Sequence, residues 1–227
     1  GHSAATLALQ NQIQQVAPLD VTVLIEGESG TGKELVARSI HGYSQRVSRP
    51  FLEVNCGALS EQLLESTLFG YEKGAFTDAA KTTRGYLEEA DGGTLFLDEI
   101  ADMSPKLQSS LLRALQEHTF TRLGGTQLLS SDFRLVCATN KKLTEEVKAG
   151  NFREDLFYRI NVIALEIPPL RNRGEDIVLL AVHFLEHFNA KFKRAVGPLT
   201  PEAIYILEHF SWPGNVRQLQ HTMERVV

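Results

Sequence analysis

Two short segments of this 227-residue chain carry residue types suited to phosphate chemistry. The first is GESGTGK, Gly27–Lys33. Its glycines, Gly27, Gly30 and Gly32, let backbone amides turn towards phosphates, with Glu28, Ser29 and Thr31 between them. Lys33 adds a point charge, and the N-terminus of the helix expected to open there adds its dipole. A plain glycine-rich turn is the bland alternative, but the lysine, the preceding apolar run and the following helical pattern supply the context a phosphate loop needs. Ser or Thr usually follows the lysine and ligates Mg2+. Here it is Glu34, whose carboxylate either holds the metal, directly or through water, or points away.

The second segment is GGTLFLDEI, Gly92–Ile100. Four residues of strand character carry Asp98 and Glu99 to a strand's C-terminal end, where ligands bind in open α/β sheets. Asp98 is placed to hold Mg2+ through water, and Glu99 to polarise an attacking water. An isolated Asp-Glu pair after a strand is usually a solvated turn. The phosphate loop upstream favours catalysis.

Both segments need a parallel sheet to position them. Short apolar runs at Val21–Ile25, Phe51–Asn55, Thr94–Asp98, Phe133–Thr139 and Val162–Ile167 suit strands covered on both faces. Helical patterns lie between them. Leu9, Ile13 and Val16 mark a first amphipathic helix. Another begins at Pro105 with Ser104 as its cap and Leu107, Leu111, Leu112 and Leu115 on its buried stripe. The alternation predicts an α/β fold with a parallel five-stranded sheet flanked by helices. After Pro168-Pro169 only helical segments follow, at Asp176–Lys193, Pro201–Phe210 (capped by Thr200) and Val216–Val227. Residues 1–170 are therefore expected to form the α/β nucleotide-binding subdomain, and 171–227 a small all-helical lid. The last helix reaches the chain end without a stop signal, so the lid is expected to be a truncated part of a longer protein.

Composition bounds the partners. The chain is 43% apolar and 22% charged, as in ordinary globular proteins. With 23 basic and 28 acidic residues its net charge is −5, which does not favour nucleic acid, and no basic run is visible. Cys56 and Cys137 stand alone in apolar stretches and read as reduced core thiols. No run spans a membrane and no signal peptide opens the chain, so the cytoplasm is the expected compartment. His183 and His187 are four apart on a predicted helix, but no third ligand accompanies them, and an ordinary helix surface is expected.

Taken together, the chain resembles the AAA+ ATPase domain of bacterial enhancer-binding proteins, the activators of sigma-54 RNA polymerase. The resemblance rests on GESGTGKE at Gly27–Glu34, GAFTDA at Gly74–Ala79, ADGGTLFLDE at Ala90–Glu99, FREDLFYR at Phe152–Arg159, PPLRNR at Pro168–Arg173 and WPGNVRQL at Trp212–Leu219. It covers essentially the whole chain. It implies an AAA+ P-loop fold, ATP hydrolysis with Mg2+, and a homo-oligomer, expected as a hexameric ring. Thr139 and Asn140 match the family's first sensor, and Arg217 its second. Asn55 matches the switch asparagine that restrains the catalytic glutamate. Arg153 and Arg159 match the arginine fingers that reach a neighbour's ATP; six apart on a helix they would point roughly 120° from one another. A solvated helix with an Asp155–Arg159 ion pair is the alternative.

GAFTDA resembles the surface loop with which the family touches sigma-54. Its residues are Gly74, Ala75, Phe76, Thr77, Asp78 and Ala79. Phe76 and Thr77 would give it an apolar tip with a hydrogen-bonding group, unless Phe76 folds back into the core. The commoner family form has Gly in place of Asp78, so this chain carries a charge and a stiffer backbone there. Thr119–Leu129, with its Gly124-Gly125 turn, resembles the second pore-side loop or is a plain hairpin. The expected partner is the sigma-54 polymerase holoenzyme, with DNA contacted mainly by a domain outside this chain and no membrane involved.

Overall fold

The computed structural model describes residues 1–77 and 79–227; the expectation about Asp78 falls outside the described residues. The chain opens with helix α1 (Ala4–Val16), strand β1 (Val23–Glu26), α2 (Lys33–Gly42), β2 (Phe51–Asn55) and α3 (Glu61–Phe69). Short strands β3 (Gly70–Tyr71) and β4 (Thr83–Arg84) and the single turn α4 (Tyr86–Glu89) follow. Next come β5 (Thr94–Asp98), α5 (Pro105–Glu117), short strands β6 (Thr119–Phe120) and β7 (Leu129–Ser130), and β8 (Arg134–Thr139). After α6 (Leu143–Lys148), α7 (Glu154–Ile160) and β9 (Ile163–Glu166), only α8 (Asp176–Phe192), α9 (Pro201–His209) and α10 (Asn215–Val226) remain as strand- or helix-length elements.

Five strands form one sheet in the order β2-β5-β8-β1-β9, and every pair is parallel. The central strands are continuous apolar runs because both faces are covered. Leu24, Leu95, Leu97, Leu135 and Cys137 pack on one side with Leu64, Leu68, Leu107, Leu111 and Leu156. Val23, Ile25, Phe96, Val136 and Ala138 pack on the other with Ile13, Val16, Val36 and Ile40. Ser104 accepts from the Leu107 amide ahead of Pro105, so the start of α5 is fixed by sequence-local chemistry. Thr200 caps α9 in the same way.

The register aligns the strand ends that matter. Asn55 lies opposite Asp98, and Thr139 lies opposite Glu26, from which the chain runs straight into Gly27. Phosphate loop, acidic pair and Thr139 thus share the C-terminal edge of the sheet. The last three helices have their own core around Leu170, Ile177, Leu185, Phe188, Trp212, Leu219 and Met223. Among the described residues, no helix is long and apolar enough to cross a membrane.

Candidate functional site

Lys33 opens α2 and is buried. Its ammonium donates to the carbonyls of Gly27 (3.0 Å) and Glu28 (3.5 Å) and lies 3.3 Å from Glu99 Oε1. The lysine therefore already lies between the phosphate loop and the acidic pair. Gly30 and Gly32 have positive φ (77° and 99°), which is what lets the loop curl before the helix. Thr31 closes the curl, its hydroxyl donating to the Glu28 carbonyl at 2.8 Å.

Asp98 and Glu99 sit at the end of β5. Glu99 has φ +52°, a left-handed conformation uncommon for a residue with a side chain, at a cost of about 1–3 kcal/mol. The turn lets the Glu99 amide donate to Asp98 Oδ1 (3.0 Å) and sends the Glu99 carboxylate towards Lys33. Burial, and then the charge of Glu99, push the Asp98 carboxyl above its ordinary range. Lys33, the Glu99 amide and Asn55 offset this only in part.

Several expected roles change partner. Asn55 Nδ2 donates to Asp98 Oδ2 at 3.1 Å, while its oxygen takes the amides of Gly57 and Ala58. The residues that hold Glu99 are Lys33 and the backbone amide of Asn140, which donates to Glu99 Oε2 at 3.0 Å. The cross-strand register explains this, because it pairs Asn55 with Asp98. The Thr139 hydroxyl accepts from the Lys141 amide (3.0 Å), a local strand-end cap. Glu34 faces Arg38 one turn along α2, with Nε–Oε1 at 2.8 Å, and Arg38 also pairs with Glu53. Of the three alternatives for Glu34, this orientation matches the last, in which the carboxylate points away.

Arg153 is the extended N-cap of α7, not a residue within it, so helical spacing does not relate it to Arg159. From the cap its guanidinium folds over the first turn onto Asp155 (3.0 and 2.6 Å) and reaches Ser109 Oγ (3.1 Å). The Asp155–Arg159 pair accordingly does not form. Arg159 donates to the Leu115 carbonyl at 2.6 Å. Both arginines are exposed.

Gly74 donates to the Ala79 carbonyl (2.9 Å) and Ala79 to the Phe76 carbonyl (3.0 Å), which closes the GAFTDA loop on itself. Phe76 is half-buried against Tyr71, ring centroids 4.8 Å apart, and Thr77 is exposed. Ala75 lies against Gly124, where a side chain would collide with it. The second loop is a hairpin between β6 and β7, and its Leu123 exchanges backbone hydrogen bonds with Gly70 and Glu72. Arg122 ties the two loops together. It reaches Glu72 at 2.7 Å and Glu88 at 2.8 Å. None of these three residues stands out in the sequence, because the network joins segments 34 and 50 residues apart.

The lid meets the phosphate loop directly. Arg217 reaches Ser29 Oγ at 3.4 Å. Arg171 grips Glu28 with two bonds (3.0 and 2.6 Å), and Asn215 Nδ2 donates to the same carboxylate at 3.0 Å. These bonds hold the Glu28 carboxyl down at about 2, Arg171 contributing most. Sequence reasoning missed Arg171 and Asn215, although a Pro-Gly-Asn turn ahead of a helix signals a specialised backbone. His183 and His187 are exposed on α8, and no group of three or more His, Cys, Asp or Glu side chains converges on a metal position among the described residues. Cys56 and Cys137 are buried free thiols, and burial pushes Cys56 up to about 12.

Comparison with known proteins agrees with this geometry. Residues 1–166 match the Sigma-54 interaction domain and residues 171–227 match the AAA+ ATPase lid domain. The transcriptional regulatory protein ZraR of Salmonella typhimurium is 56% identical over 227 residues, all of this chain and 52% of that protein. The Nif-specific regulatory protein of Herbaspirillum seropedicae is 52% identical over 225 residues, 99% of this chain and 42% of that protein. The chain thus spans about half the length of these curated relatives. The crystal structure of NtrX from Brucella abortus in complex with ATP superposes with a TM-score of 0.92 at 40% identity, covering 99% of this chain and 51% of that one. The five-stranded parallel sheet and the C-terminal helical part are those of an AAA+ P-loop fold, and the chain belongs to the Sigma-54 interaction domain family.

Proposed function

We propose that the chain hydrolyses ATP with Mg2+ at sites completed between subunits, and spends that hydrolysis on moving the GAFTDA loop against sigma-54 polymerase so that promoters open. The observation that carries the chemistry is the meeting of Lys33, Asp98 and Glu99 at one sheet edge beside the phosphate loop. In this reading residues 1–170 bind nucleotide and 171–227 act as lid. Amides of Gly27–Lys33 and the Lys33 ammonium hold the phosphates. Water attacks the γ-phosphorus, its proton passes towards the Glu99 carboxylate, and the bond to ADP breaks. The raised carboxyl of Asp98 fits a divalent cation, since a positive charge there offsets its burial and its repulsion by Glu99. When bound, that cation neutralises charge on the phosphates. Glu34, held by Arg38, is not assigned to it.

Arg153 and Arg159 lie exposed, and the family reading sends them to a neighbour's phosphates in a ring, which we take as hexameric. Mixing Arg159→Ala with Lys33→Ala subunits should restore activity that neither has alone, because an intact arginine can then face an intact phosphate loop. A mixture that co-assembles and stays inactive removes the shared site.

Thr77 is the exposed hydroxyl of a loop without phosphate-binding residues. Thr77→Ala should retain ATPase activity and lose sigma-54 binding in a gel shift with a transition-state mimic. Unchanged sigma-54 binding would remove GAFTDA from the contact. NtrX bound to ATP and the relatives' names as transcriptional and Nif-specific regulators support the reading.

A further inference from the structure

A phosphate loop turns its amides inwards, so its carbonyls must find partners elsewhere. Here three successive carbonyls find them within residues 171–227. The Ser29 carbonyl accepts from Asn215 Nδ2 (3.0 Å). The Gly30 carbonyl accepts from the first-turn amides of Val216 (3.0 Å) and Arg217 (3.3 Å), two of the donors that a helix start leaves unpaired. The Thr31 carbonyl accepts from Arg173 at 2.8 Å, while Arg173 Nε holds the Pro168 carbonyl at 3.0 Å. Gly30 also has the Gly214 carbonyl where a Cβ would stand, so the lid backbone as well as the loop's φ requires glycine there.

Asn215 is the centre of this contact. It is wholly buried, with φ +50°, a conformation Asn tolerates better than most residues. All of its side-chain functions on the loop-facing side are used. Nδ2 donates to Glu28 and to Ser29, and Oδ1 accepts from the Leu170 amide at 2.8 Å. Only an amide offers that combination of donors and acceptor. Any displacement of the lid breaks these bonds together and strands the loop's carbonyls.

We propose that Asn215 and Glu28 are positioning residues through which the lid sets the shape of the phosphate loop, so that nucleotide affinity is controlled from the lid. The inference rests on the nucleotide site proposed above. It is a different effect from the second-sensor role that the resemblance implies for Arg217, because neither residue is asked to touch the nucleotide.

The test is a titration of the purified chain with a fluorescent ADP analogue, beside thermal unfolding. Asn215→Asp keeps the backbone preference and the acceptor but faces Glu28 with a second carboxylate. Losing a bond to a charged group should weaken binding about tenfold or more. Glu28→Gln added to Asn215→Asp restores a donor–acceptor pair between 28 and 215 with the roles reversed, and should recover part of the loss, which a merely structural defect would not do; the Ser29 carbonyl stays without its donor. Parental affinity in Asn215→Asp, or a loss that Glu28→Gln leaves untouched, overturns the proposal. If Asn215→Asp does not fold, Arg171→Met takes its place: it removes the exposed grip on Glu28 and leaves Asn215 intact. It should weaken binding about threefold, and unchanged affinity there also overturns the proposal. A parent chain that binds no nucleotide would instead sink the nucleotide site itself.

Discussion

Asp98 and Glu99 stand side by side at the end of β5, and burial and mutual charge push Asp98 up. At the junction with the last three helices, by contrast, Glu28 and Asp176 are surrounded by donors. Burial raises Asp176 as well, but Thr6 Oγ1 (2.6 Å), Ser3 Oγ (2.7 Å) and the amides of Ser3 and His2 overcome it and leave the carboxyl well below its ordinary range. Four acidic residues thus divide into two kinds. Those at the lid junction have their acceptors filled and serve the fold. At the strand end Glu99 holds Lys33 and the Asn140 amide, while Asp98 is left short of positive charge, which is the condition for binding a cation.

The sharpest way to break this division is at Glu99. Glu99→Gln keeps the shape and removes the proton acceptor, so turnover should fall by about 10²-fold or more. Nucleotide affinity should persist, because Lys33 and the loop amides remain. Single-turnover hydrolysis beside a binding titration separates the two, and near-parental hydrolysis would take Glu99 out of the chemistry.

Asp176 should behave in the opposite sense. Asp176→Asn removes a buried, fully bonded carboxylate that joins the start of α1 to the start of α8. The loss should be about 1–3 kcal/mol, which lowers the unfolding midpoint by roughly 3–10 °C. The sign with pH follows from a depressed carboxyl. Its stabilisation is present above the ordinary carboxylate range and is lost as pH falls towards the folded value. The gap between parent and variant should therefore be widest near neutrality and close on acidification. For Glu28 the corresponding window runs from 4.5 down to about 2. A gap that widens in acid would contradict the assignment.

These contrasts also show what a sequence can and cannot display. Strand cores, the Ser104 and Thr200 caps and the phosphate loop were legible because local pattern and local chemistry produce them, and the strands fall within one or two residues of expectation. The two-residue strands β3 and β4 were not legible, being too short to show a period, whereas the β6–β7 hairpin was signalled by its Gly124-Gly125 turn. Asn55 was legible as a strand-end residue, but its bond to Asp98 in place of Glu99 depends on sheet register. The pairing of Glu28 with Asn215 spans 187 residues. No window along the chain contains it. Arg153 was misplaced for a smaller reason: helix starts are uncertain by a residue or two, and here that moves an arginine from helix to cap.

Asp98→Asn gives the smallest shift and the most direct test of the comparison. The substitution removes a charge that burial and Glu99 both disfavour. Its oxygen can still accept from the Glu99 amide. The bond from Asn55 is lost, but Asn55 is exposed and water can replace it. Lys33 keeps Glu99 as its partner. The unfolding midpoint should therefore rise by about 1–2 °C while turnover falls, a stabilised and disabled enzyme. Because a raised carboxyl binds its proton more tightly in the folded chain, the parent's deficit should fade as pH drops and Asp98 is neutralised. Thermal scans of both proteins across that range read the sign directly. A midpoint that falls in Asp98→Asn would place Asp98 with Asp176, as a carboxylate the fold depends on, and the division between strand end and lid junction would collapse.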